Sequence, residues 1–176
     1  MNCALLFAIS FLVATLVVGS PVDSECMEER SRVRRCVELY PLDYTHLAPF
    51  HEFQLKKQSV TMINDCIGNV QCPRMKSAVE IDLLKFDLRY ELSKIFSCLA
   101  EGRFETARMS CFGTLNHDCD SFNYISCLRE ELASEEQCSS EDLDFLANLG
   151  EQFTNVCQKK IQHRKLFGRR RYRLKI

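Results

Sequence analysis

Eleven cysteines are the reactive groups that this 176-residue sequence offers in quantity. Cys3 lies ahead of an uncharged stretch running from Ala4 to Val18. The other ten are Cys26, Cys36, Cys66, Cys72, Cys98, Cys111, Cys119, Cys127, Cys138 and Cys157. A thiol can attack, ligate a metal or oxidise to a disulfide, and spacing helps to separate these fates. No two cysteines form a C-x-x-C pair and no histidine stands at zinc-finger spacing, so metal ligation is not expected. An even number in an oxidising compartment implies pairing throughout, which predicts five disulfides and no spare thiol for catalysis. Five crosslinks at ~2–4 kcal/mol each compare with the ~5–15 kcal/mol net stability of a small domain. The bridges are therefore expected to carry much of the fold's stability.

Histidine and carboxylate chemistry comes next. In "NHDCDSF" the His117–Asp118 pair lies beside cysteines, an arrangement similar to the catalytic segment of secreted phospholipases A2. Those enzymes need a histidine to activate water, a carboxylate beside it and a glycine-rich calcium loop. Here the adjoining double cysteine is missing and no such loop precedes it, so the stretch reads as a polar connection between helices. "HEFQL" places His51 before Glu52 without the second histidine that the zinc-protease helix requires. No serine occupies a G-x-S-x-G elbow. The carboxylate pairs Glu130/Glu131 and Glu135/Glu136 read as solvated faces. No enzyme and no cofactor is expected.

Charge is distributed unevenly. The chain holds 23 Lys/Arg against 24 Asp/Glu, and its last eighteen residues, "KKIQHRKLFGRRRYRLKI", hold nine of the basic ones and no acid. The rest is left with 14 against 24, an acidic body joined to a basic end. The candidate contact or processing residues are Lys159, Lys160, Arg164, Lys165, Gly168, Arg169, Arg170, Arg171, Arg173 and Lys175. Three readings stay open. The end is a solvated extension that offsets body charge. It binds a sulfated glycan or an anionic lipid surface. Or it is cut, since Lys159–Lys160 is dibasic and Gly168 precedes Arg169–Arg171 as convertase cleavage and amidation require. Nucleic acid is not an expected partner.

The elements that must position these residues follow from hydropathy and spacing. Ala4 to Val18 matches the apolar region of a signal peptide and falls short of the ~20 residues that span a membrane. Cleavage is expected after Gly19, because a cut after Ser20 would leave Pro21 at the new terminus. The chain then divides into a signal peptide at 1–19, one cysteine-rich domain at 20–158 and a basic tail at 159–176. A secreted, extracellular protein with no further membrane span is expected. No N-x-S/T sequon occurs.

Apolar spacing is helical almost throughout. Val33, Cys36, Val37 and Tyr40 fall on one stripe, and Cys26 and Cys36 in the same helix would stand about 15 Å apart. A disulfide tolerates at most ~7 Å between Cα atoms, so these two must reach other elements. A second helix is predicted from Phe50 to Cys66, ended by Gly68 and Pro73. The strongest pattern is "RMKSAVEIDLLKFDLRYELSKIFSCLA", with Ile81, Leu84, Leu88, Leu92, Ile95 and Leu99 on one face and Gly102 at its end. Phe122, Ile125, Leu128 and Leu132 mark another helix. A last one opens on Ser139 or Ser140 and carries Leu143, Leu146, Leu149, Phe153, Val156 and Ile161. The expected fold is all-α, a single disulfide-rich helical domain with about five helices and five disulfides.

From Cys26 to Cys157 the chain resembles a secreted cysteine-rich domain expanded in nematodes, catalogued as domain of unknown function nineteen. The features that carry the likeness are "NDCIGNVQC", the long helix ending "IFSCLAEGRF", and the series Cys111, Cys119, Cys127, Cys138 and Cys157. Members usually carry twelve cysteines; the two missing here would fall near Val60 and near Ile81, and losing both partners of one bridge leaves no orphan thiol. "SCLAEGRF" is also similar to a short C-x-A-x-G feature of stanniocalcin-like hormones. The resemblance implies a helical fold and secretion, and brings no established activity. The functional expectation is a non-enzymatic extracellular binding protein. Its alternatives are a precursor of a basic peptide or, third, a phospholipase A2-like enzyme. Its partner is an extracellular protein or an anionic glycan or lipid surface, and its oligomeric state is open.

Overall fold

The computed structural model describes residues 21–40, 46–100, 102–114, 119 and 121–167. The chain is all-α, and no strand occurs among the described residues. In order come α1 (Pro21–Leu39), α2 (Phe50–Ile67), α3 (Pro73–Leu92), a 3₁₀ turn (Ser93–Ile95), α4 (Phe96–Leu99), α5 (Arg103–Ser110), a second 3₁₀ turn (Cys111–Thr114), α6 (Ser121–Ala133), α7 (Ser140–Asn148) and α8 (Gly150–Phe167). The predicted signal segment, residues 41–45 and the His117–Asp118 pair lie outside the described residues.

All ten cysteines from Cys26 onward are paired. Cys26 bonds Cys72 and Cys36 bonds Cys66; Cys98 bonds Cys138, Cys111 bonds Cys127 and Cys119 bonds Cys157. The geometric exclusion of a Cys26–Cys36 bridge holds, since both residues lie on α1 and each staples it to a different point. Two bridges join elements between residues 26 and 72, and three join elements between 98 and 157. None crosses from one group to the other.

The apolar core divides in the same way. Val33, Val37, Phe53, Ile63, Ile67, Met75 and Phe86 bury one cluster among α1, α2 and the first part of α3. Leu88, Leu92, Leu99, Phe104, Leu128, Leu132, Leu146 and Val156 bury the other among the end of α3 and the helices that follow. Helix α3 has no cysteine and contributes to both, with Phe86 facing one and Leu88 the other. Ile81 is buried, and Val60 packs half-buried against the first cluster.

Two long predicted helices are each broken. The "RMKSAVE…SCLA" helix tightens at Ser93–Ile95, where buried Ser93 donates its hydroxyl to the Tyr90 carbonyl at 2.6 Å. A side chain bonding back three residues competes with the α-helical ladder and favours the tighter turn. The last predicted helix is divided at Leu149. Gly150 permits the join, because a Cβ there would stand 3.3 Å from Ser121 Oγ on α6, closer than most carbon contacts allow. Thr154 then donates to Ser121 Oγ at 2.9 Å and ties α8 to α6. The start of α7 is as expected: Ser139 and Asp142 form a reciprocal capping box.

One buried carboxylate joins the first two elements to the spine. Glu29 of α1 is 7% exposed, and its Oε1 and Oε2 accept the backbone N–H groups of Gln71 (2.6 Å) and Cys72 (2.8 Å) just before α3. An anion here satisfies orphan donors at a helix N-terminus and meets the positive end of the dipole. Glu29→Ala leaves the buried Cys72 N–H without a partner, so we expect a loss of about 1–3 kcal/mol in denaturant unfolding with the five bridges intact.

Candidate functional site

The basic residues predicted to form a separate tail divide into two sets. Gly168, Arg169, Arg170, Arg171, Arg173 and Lys175 lie outside the described residues. Lys159, Lys160, Arg164 and Lys165 belong to α8, which continues past residue 158 without a break to Phe167. Periodicity explains this, because the apolar stripe of Val156 and Ile161 carries on through good helix formers such as Lys, Gln and Arg. A change in composition at 159 is thus not a change in structure.

Helix α8 runs antiparallel along α3 and makes the most extensive helix pairing in the fold. Lys159 Nζ pairs with Glu80 Oε2 at 3.0 Å, and His163 Nδ1 lies 3.0 Å from Ser77 Oγ. As the number rises on α8 it falls on α3. The His163 ring also packs on Phe167, with centroids 5.1 Å apart. Burial and the nearby Arg74 push the His163 pKa down, against Asp82, so the ring is neutral at physiological pH.

Lys160 lies half-buried on this seam. Its pKa is pushed down to about 8, first by burial and then by Lys85 and Arg164, with Asp82 opposing and Arg108 adding to the repulsion. Three cations from three helices therefore act on Lys160: Lys85 from α3, Arg108 from α5 and Arg164 from α8 itself. Two have local counterions. Lys85 pairs with Asp82 at 2.5 Å and Arg108 with Glu105 at 2.7 Å. Among the described residues Lys160 and Arg164 form no ion pair. They stand one turn apart on α8, where side chains at i and i+4 share a face.

The sequence singled out Lys160 and Arg164 but gave no reason to add Lys85 and Arg108. Lys85 lies in the long apolar-patterned helix and Arg108 in a stretch that reads as a short helical turn, and nothing in local spacing links either to Lys160. The other chemical candidates stay apart. His51 and Glu52 are exposed on α2. Asp87 is held above the usual carboxylate range by burial, with Lys57 opposing and Glu91 reinforcing. Tyr124 is pushed up to about 12 by burial and packs edge-on against Phe153, 5.6 Å away. Among the described residues no group of three His, Cys, Asp or Glu side chains is placed to hold a metal ion, and no helix is long and apolar enough to cross a membrane.

Comparison with known protein families, characterised proteins and solved structures finds no match for the chain.

Lys160 sets a pH dependence with a definite sign. The unfolded chain holds this proton up to about pH 10.5, whereas the folded chain releases it near pH 8. Folding therefore opposes the charge at neutral pH, and stability rises as pH climbs through that window. Lys160→Met removes this gain. We expect it to stabilise the protein at pH 7 by about 1 kcal/mol, after allowing for solvent screening of a half-buried group, and to flatten the rise in melting temperature above pH 8.

Proposed function

We propose that the protein is a secreted, non-enzymatic helical module that works by binding, and that the basic face of α8 is its contact surface for an anionic extracellular partner. The observation that carries this reading is the pair Lys160 and Arg164 on α8, which form no ion pair among the described residues, with the half-buried Lys160 repelled by Lys85, Arg164 and Arg108. A cluster of like charge raises the free energy of the unbound fold and lowers that of a complex with an anion. Five disulfides suit an oxidising compartment, which is where sulfated glycans and outer membrane surfaces are met.

A precursor that releases a basic peptide is the second reading. Helix α8 counts against cleavage at Lys159–Lys160, because Lys159 is paired with Glu80, Lys160 is half-buried, and a protease needs the chain extended. It does not bear on "LFGRRR". The intact mass of the natively secreted protein distinguishes the two: a C-terminus at Ile176 supports binding, and one near Phe167 supports the peptide. A phospholipase reading predicts calcium-dependent lipid hydrolysis that His117→Ala abolishes; we expect none from the wild type.

On immobilised heparin at low ionic strength the full oxidised chain is expected to be retained and to elute as salt rises, since exposed charge pairs are screened. Passage straight through at low salt would exclude this reading.

A further inference from the structure

We infer that a second copy of this chain is a partner, through exchange of the module that ends with α3, and that the tight turn at Ser93–Ile95 is the hinge. The covalent topology permits it. Cys26–Cys72 and Cys36–Cys66 close loops within residues 26–72, and the other three bridges close loops within residues 98–157. Residues 73–97 contain no cysteine, so a single stretch of backbone joins the two stapled modules. No bridge has to open for them to part.

That stretch is helical except at the proposed hinge. Helix α3 tightens into the 3₁₀ turn at Ser93, and Ile95, at φ -108° and ψ 35°, stands outside helical geometry before α4 begins. A short 3₁₀ piece within a helix has poorer hydrogen-bond geometry and often marks a hinge. The Ser93 hydroxyl holds the turn through its 2.6 Å bond to the Tyr90 carbonyl. The apolar pattern favours the other conformation. Leu88, Leu92, Ile95 and Leu99 keep three- and four-residue spacing across the break, so one continuous helix from Pro73 to Leu99 would carry all four on one stripe.

Bent, the chain lays α3 against its own α8. Straightened, it carries α3 away from that helix and offers it to the α8 of a second copy. The surface that re-forms is the one already present within a single chain: Glu80 with Lys159, Ser77 with His163, and Leu88 and Leu92 in the core with Leu128 and Leu132. Two such exchanges close on each other and leave no module without its partner. The exchanged dimer keeps the contacts between modules and differs from the monomer at the hinge, so protein concentration shifts the balance between the two forms.

The experiment mixes unlabelled and heavy-nitrogen-labelled full chains in guanidinium chloride without reductant, so that the bridges stay closed, and refolds them by dilution to micromolar or to millimolar protein. Size-exclusion chromatography with light scattering counts monomer and dimer. A carbodiimide then joins Glu80 directly to Lys159, whose charged atoms lie 3.0 Å apart. At micromolar protein we expect monomer, with links inside single chains. At millimolar protein we expect dimer in which about half of the Glu80–Lys159 links join a labelled chain to an unlabelled one, as random exchange requires. Ser93→Ala removes the bond that bends the helix and sets a strong helix former at the hinge, so its dimer fraction should rise at least about threefold at equal concentration. Its circular dichroism melt reports that it folds; if it does not, the label pattern of the wild type decides by itself. A dimer with same-label links only overturns the exchange in favour of ordinary association. No dimer at either concentration overturns the second copy as partner. An unchanged dimer fraction in folded Ser93→Ala overturns the hinge.

Discussion

Helix α3 is the constraint on which the rest of the structure depends. Five disulfides staple the chain, but they fall into two groups, and the span from Cys72 to Cys98 carries no crosslink to either side. Each group closes loops within its own part, so covalent bonds alone would leave two stapled pieces joined by a tether. What makes them one fold is the apolar surface of α3, which lends Met75 and Phe86 to one core and Leu88 and Leu92 to the other. Disulfides act mainly by restricting the unfolded chain. They cannot orient one piece against the other; side-chain packing on α3 does that.

The same helix explains why the basic site is where it is. Fixing α8 against α3 takes specific polar contacts, Lys159 with Glu80 and His163 with Ser77. Those contacts fix the antiparallel register of α8 on α3, and with it the half-buried position of Lys160 on the seam. Cys119–Cys157 holds the earlier turns of α8 from the other direction. The cluster is thus a consequence of how α8 is docked, not of a flexible basic end.

Much of this was legible in the sequence, and the rest was hidden for identifiable reasons. The helical class follows from apolar residues at three- and four-residue intervals, and the five bridges from an even set of cysteines behind a secretory-type segment. The bridge partners were hidden, apart from the ruled-out Cys26–Cys36, because pairing is decided by tertiary approach. The breaks at Ser93 and Leu149 were hidden because periodicity continues across them; one depends on a hydroxyl turning back to Tyr90, the other on Gly150 fitting against Ser121. Glu29 looked like one acid among several in a charged stretch. Its partners lie 42 and 43 residues away, beyond anything local spacing reports. Where composition and periodicity disagreed, at residue 159, periodicity described the fold.

The energetic conflict at Lys160 bears on function in a way that the cysteines do not. A disulfide framework is neutral about what a domain does, because it would be needed for any task. A half-buried lysine among like charges is different, since a methionine of similar length would fit the seam without the electrostatic cost. Sites that lower the stability of the unbound fold are where function is most often found, because interactions poised for a ligand are left unsatisfied without one. Glu29 supplies the contrast. It too is buried and charged, but its two oxygens are met by backbone donors within the fold, so its charge is fully used by the structure. Lys160 and Arg164 have no such answer among the described residues.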